Sequence, residues 1–136
     1  MPPELIMAVR LRLVAGVFLD ECELRGKEGL SLLGIVDSGA SPTYVTVEAR
    51  RSAHLEPTGR SKTFMCVHGK NHAGIATRSY YGRVMLGTKS GGGIVYEIDA
   101  PLAVGGLRVG VVLGRDMLQH LNVALNWKDG TGFLEW

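Results

Sequence analysis

"GIVDSGASPTYVT", residues 34–46, places the tripeptide Asp37-Ser38-Gly39 directly behind the apolar run Leu32-Leu33-Gly34-Ile35-Val36. A short apolar run bounded by turn residues reads as a buried strand, so a carboxylate at its end needs a reason. Aspartate in a turn is ordinary, because its side chain hydrogen-bonds nearby backbone, and the tripeptide alone fits an Asx turn. A second feature changes the weighing. Far along the chain Val111-Val112-Leu113 runs into Gly114-Arg115-Asp116 and a short amphipathic segment, so two apolar strands each end in a sharply placed polar cluster.

Composition limits what these clusters can serve. With 136 residues, 46% of them apolar and 21% charged, the chain is expected to form one domain over 1–136 with a core of its own. A net charge of +2, basic residues spread along the chain and 7% aromatic residues give no footprint for nucleic acid. The apolar stretch Leu5–Leu19 is interrupted by Arg10 and Arg12, which argues against a membrane span and a signal peptide and makes cytoplasmic residence the expectation. Cys22 and Cys66 form no disulfide framework and read as reduced, structural thiols.

The periodicity is mostly that of strands. Ala8–Val14 alternates as a half-buried strand, Gly26-Lys27-Glu28-Gly29 is a turn, and Leu30–Val36 is the next strand. Val47–Leu55 reads as a short helix stopped by Pro57 and Gly59, followed by strands over Thr63–Val67 and Ile75–Leu86 around a polar tip. "GTKSGGG", residues 87–93, reads as a flexible turn before a strand at Ile94–Ile98, which Pro101 ends. Leu107–Leu113 is a further strand, 115–121 a helix, Val123–Trp127 a strand, and Phe133–Trp136 its hairpin partner.

Ile35-Val36-Asp37-Ser38-Gly39-Ala40-Ser41 and Val112-Leu113-Gly114-Arg115-Asp116-Met117-Leu118, in this order and at this length, resemble the catalytic loop and the strand-to-helix signature of the retropepsin-like aspartic proteases. The resemblance covers nearly the whole chain. It implies a mainly β fold, a closed retropepsin-like barrel with a flap hairpin and one or two short helices. It implies an aspartic endopeptidase without cofactors, acting on polypeptides as a homodimer in which Asp37 and its mate share one proton. The chemistry accounts for the count. Hydrolysis without metal or nucleophilic side chain needs one carboxylate to take a proton from water and a second, protonated one to support the carbonyl oxygen, and one chain supplies a single D-S-G.

By the same resemblance Ser38, Gly39 and Ala40 support the catalytic loop. Ser38 stands where the family more usually has threonine, and Ala40 lacks the hydroxyl by which a serine in pepsin-like enzymes assists the charged dyad, so a less acidic optimum is expected. Gly114, Arg115 and Asp116 form a structural brace. Ser41 stands where retroviral members often carry the aspartate that pairs with the arginine, so Arg115 must find another partner, for which Asp116 is the candidate. His68-Gly69-Lys70-Asn71-His72-Ala73-Gly74 takes the place of the flap over an extended substrate. Val36, Ile75, Val112 and Leu113 are candidate subsite walls, and Phe133–Trp136 is a candidate extension of the dimer sheet.

Competing motifs are weaker. Cys66, His68 and His72 carry the residue types of a zinc site but show no fourth ligand, so no metal is expected. Gly82–Gly87 with Thr88-Lys89-Ser90 lies between strands and opens no helix, unlike a phosphate loop, and no G-x-S-x-G is present. A non-catalytic dimeric retropepsin fold that binds a peptide without cutting it is the alternative, since a fold does not guarantee a reaction.

Overall fold

The computed structural model describes residues 8–64 and 75–136. The elements are β1 (Ala8–Arg10), β2 (Arg12–Val14), β3 (Val17–Arg25), β4 (Gly29–Val36), β5 (Tyr44–Thr46), α1 (Val47–Ser52), β6 (Glu56–Phe64), β7 (Ile75–Leu86), β8 (Lys89–Ile98), β9 (Leu102–Val104), β10 (Leu107–Val109), β11 (Val111–Leu113), α2 (Arg115–Leu118), β12 (Asn122–Asn126) and β13 (Thr131–Glu135). Among the described residues no helix is long and apolar enough to cross a membrane.

β3 shows how the sequence builds the barrel. Its alternate residues Phe18, Cys22 and Leu24 turn inward and are buried, while Glu21 and Arg25 on the opposite face are exposed. The main sheet runs β2-β3-β4-β11-β5-β8-β7-β6, and β3 also pairs with β7, which closes six of these strands into a ring. Phe18, Leu24, Val36, Val45, Val84, Leu86, Val95, Val111 and Leu113 meet inside it. Leu134 from the separate sheet β1-β13-β12 joins the same core.

The strand expected over Ala8–Val14 is divided at Leu11, with β1 pairing β13 and β2 pairing β3. The single strand expected over Leu107–Leu113 is likewise divided. β10 folds back on β9, and after Gly110 the chain enters the barrel as β11. The helices are shorter than expected, ending at Ser52 and Leu118. Thr46 starts α1 by accepting the Ala49 N–H at 3.2 Å.

Of the turn expected over 87–93, Gly87 and Thr88 do turn between β7 and β8, and the residues after them form strand. Gly91, Gly92 and Gly93 lie within β8, opposite Val84, Arg83 and Gly82 of β7. A Cβ at Gly91 would stand 2.7 Å from Met117 Cε, so the missing side chain is what lets α2 pack on this strand. β6 begins earlier than expected, at Glu56, despite Pro57. It is an edge strand whose register shifts between Pro57 and Ser61, where proline is tolerated. Phe133–Trp136, the candidate extension of a dimer sheet, overlaps β13, which lies between β1 and β12 of the same chain.

Candidate active site

β11 enters the sheet between β4 and β5, parallel to the first and antiparallel to the second, in the register Val111–Gly34, Val112–Ile35 and Leu113–Val36. The ends of β4 and β11 therefore lie side by side, and each leads at once into one of the two motifs. The Asp37 N–H donates to the Leu113 carbonyl at 3.1 Å, which ties the start of the D-S-G loop to the end of the second strand. The Arg115 N–H donates to the Ala40 carbonyl at 2.8 Å and the Asp116 N–H to the Ser41 carbonyl at 3.2 Å.

Asp37 is exposed. Its Oδ1 accepts the Gly39 N–H at 2.9 Å and its carbonyl accepts the Ala40 N–H at 3.2 Å, so the loop is an Asx turn that also presents a carboxylate. A Cβ on Gly39 would come within 3.1 Å of Asp37 Oδ1, which is why a residue without a side chain suits that place. Ser38 is exposed and Ala40 half-buried.

Asp116 has a different use. Its Oδ2 accepts the Thr43 N–H at 3.0 Å and its Oδ1 accepts the Thr43 hydroxyl at 2.7 Å, while Thr43 Oγ1 accepts the Gly114 N–H at 3.2 Å. Thr43 is 1% exposed, so these bonds are shielded from water. The expected Arg115–Asp116 pair does not form, because Asp116 is taken by Thr43. The Arg115 side chain is exposed and makes no ion pair among the described residues, so its bracing contribution is that of its backbone N–H. Gly114 is a brace by its smallness, since a Cβ there would stand 2.0 Å from the Pro42 carbonyl oxygen.

Which residues share the face of Asp37 follows from register. Ile35, Val112, Tyr44 and Tyr96 are partners across β4, β11, β5 and β8, so their side chains leave the sheet on one side. Asp37 lies two residues beyond Ile35 and continues that side. Val36 and Leu113 point the other way into the core, which removes them as subsite walls; Val112 keeps its candidacy and Ile75 opens β7. Tyr44 and Tyr96 were not anticipated, because only pairing brings residues so distant in sequence together. Burial, then the neighbouring Tyr96 and Asp116, raise the Tyr44 phenol above its ordinary range.

The flap residues His68–Gly74, and Cys66 with His68 and His72, lie outside the described residues. Among the described residues no group of three His, Cys, Asp or Glu side chains is placed to hold a metal ion. Cys22 is a free, buried thiol, pushed up to about 12 by burial and by Asp20.

No family model matches the chain, and no curated protein matches it by sequence. Among solved structures it is similar to the crystal structure of a retropepsin-like aspartic protease from Rickettsia conorii. The TM-score is 0.64 at 17% sequence identity, over 96% of this chain and 92% of that one. The likeness shows the fold that the two motifs implied, a mainly β, retropepsin-like closed barrel with short helices.

Proposed function

We propose that the chain is an aspartic endopeptidase that cleaves extended polypeptides as a homodimer, with Asp37 from each of two subunits forming the catalytic pair. The observation that carries this reading is the division between the two acids of the joined loops. Asp116 has both oxygens bound by Thr43, whereas Asp37 is exposed and held through the backbone of its own turn. Peptide hydrolysis by this chemistry needs two carboxylates, and a two-fold axis supplies the second from another copy.

In the pair, close like charges keep a single proton. The ionised Asp37 takes a proton from water as its oxygen attacks the scissile carbonyl, and the protonated mate donates to the carbonyl oxygen. The resulting gem-diol collapses when a proton passes to the amide nitrogen, the C–N bond breaks, and the pair returns to its single-proton state. Ser38 offers a hydroxyl to link the two loops, and Gly39 and Ala40 shape the turn. Gly114, Arg115 and Asp116 hold it from behind, Arg115 through its backbone. His68–Gly74, which join β6 to β7, take the part of the flap. With Ala40 giving no hydroxyl to the charged form, the optimum lies less acid than in pepsin-like enzymes. The free thiol of Cys22 supports a cytoplasmic setting.

The test is a diverse peptide mixture incubated with wild type and Asp37→Asn from mildly acidic to neutral pH, with oligomeric mass measured alongside. Cleavage by a dimer that is lost on substitution is expected. Equal cleavage by both proteins overturns the proposal, and peptide binding without cleavage favours the non-catalytic module.

A further inference from the structure

The barrel interior contains a carboxylate for which the proposed reaction has no use. Asp20 occupies an inward position of β3 between Phe18 and Cys22, is 3% exposed, and its Oδ2 has no hydrogen-bond partner among the described residues. Its cross-strand partner on β4 is Gly34, whose own partner on β11 is Val111, so the acid lies beside the strand pair that carries Asp37 and Gly114. An ionised carboxylate so placed lacks the solvation it would have in water, and among the described residues the Glu21 N–H replaces only part of it.

Among the described residues the elements packed around it bring no opposite charge to its side. On β4 the positions opposite Leu24, Cys22 and Asp20 are Leu30, Leu32 and Gly34, none of which titrates. On β7 the residue opposite Leu24 is Val84, and Leu86 is also in the core, while Arg83 lies opposite Arg25 on the outer side. On β2, Leu13 opposes Phe18 on the inner side and Arg12 opposes Leu19 on the outer side. From β13 the core receives Leu134. Within β3 the nearby titratable groups are the Cys22 thiol and Glu21, and the charge of Glu21 has the same sign.

We propose that Asp20 makes the fold acid-favoured: the barrel is built around the neutral acid, and ionisation of Asp20 as the pH rises loosens β3 and β4 at the base of the Asp37 loop. The inference stands whether or not Asp37 cuts peptides. Burial raises the Asp20 carboxyl from 3.8 to about 6, with the Glu21 N–H opposing and the Glu21 charge adding to the rise. Between these values the folded chain keeps a proton that the unfolded chain has lost. The stabilisation is thus complete below about pH 4, declines through pH 6, and is gone above it. The folded-to-unfolded ratio falls on the order of a hundredfold across this window from Asp20 alone.

The experiment is denaturant unfolding of wild type and Asp20→Asn from pH 4 to 7.5, since asparagine keeps the shape and cannot ionise. Relative to wild type, the variant is expected to gain stability steadily with pH, approaching a hundredfold in the folding ratio near neutrality. Parallel stability curves overturn the proposal. A second measurement covers a variant that fails to fold: the carboxyl carbon of Asp20 in the folded wild type, followed by NMR, is expected to titrate near pH 6, and an ordinary midpoint near pH 4 overturns the proposal equally.

Discussion

Replacing Gly114 with alanine tests the joint between the two motifs. The residue has φ −93°, which alanine adopts freely, so the cost is steric and not torsional. The added Cβ would stand 2.0 Å from the Pro42 oxygen, 2.4 Å from the Pro42 carbonyl carbon and 3.0 Å from the Ala40 oxygen. These are backbone atoms and cannot swing aside, so the segment before β5 must retreat by about 1 Å to reach a tolerable contact. That retreat stretches the bonds that bridge the gap, namely Arg115 N–H to Ala40, Asp116 N–H to Ser41, Gly114 N–H to Thr43 and the two from Thr43 to Asp116. Losing three or four of them at about 1 kcal/mol each gives a destabilisation of about 3–4 kcal/mol, a large share of what a domain of this size possesses. Urea unfolding, followed by fluorescence, measures it. Gly39→Ala in the facing loop is the internal comparison: its Cβ meets Asp37 Oδ1 at 3.1 Å, so stability is expected to fall by less than about 1 kcal/mol while peptide cleavage is impaired. If Gly114→Ala is as stable as wild type within about 0.5 kcal/mol, the loops are not locked in the way described.

Thr43→Val keeps the shape and removes a hydroxyl that donates to Asp116 and accepts from Gly114, for an expected loss of about 2–3 kcal/mol; Thr43→Ser is expected to recover most of it in the same unfolding assay. Leu134→Ala removes a side chain with 0% exposure and is expected to cost about 2–4 kcal/mol, whereas a melting temperature equal to that of wild type would show β13 to be dispensable. Truncation after Trp127 removes all of β13 and is expected to unfold the chain, as circular dichroism would reveal. Tyr44→Val and Tyr96→Leu are expected to change which side chains are accepted beside the scissile bond in a peptide-library cleavage profile, and an unaltered profile would remove both from the cleft.

The parts of the fold legible in the sequence are those in which local pattern and tertiary pairing agree. Ile75–Leu86 reads as a strand and forms β7 over that span, and the apolar run before Asp37 lies in β4. Periodicity reports which way a side chain faces but not which strand it pairs with, so the changes of partner at Leu11 and Gly110 left no local trace. Gly91–Gly93 failed for the opposite reason. Glycine weakens a strand on its own terms, and what accounts for it here is tertiary: the approach of Met117 from α2 at Gly91, and a positive φ at Gly92 and Gly93. Asp20 went unread in the sequence, although an acid in the inward phase of Phe18, Cys22 and Leu24 breaks the alternation and is the signal that marks such a position.

At the candidate site the motifs gave the right neighbours and the wrong pairing. Adjacent in sequence and opposite in charge, Arg115 and Asp116 invite a salt bridge, yet Asp116 is bound by Thr43 from the facing loop. An exposed ion pair would contribute little, whereas two bonds from a buried threonine to a carboxylate hold the loops together across the joint between β4 and β11. That arrangement bears on the chemistry. With Asp116 bound by Thr43, the proposed reading expects the second carboxylate from another copy, and a second Asp37 is the group whose surroundings match the first.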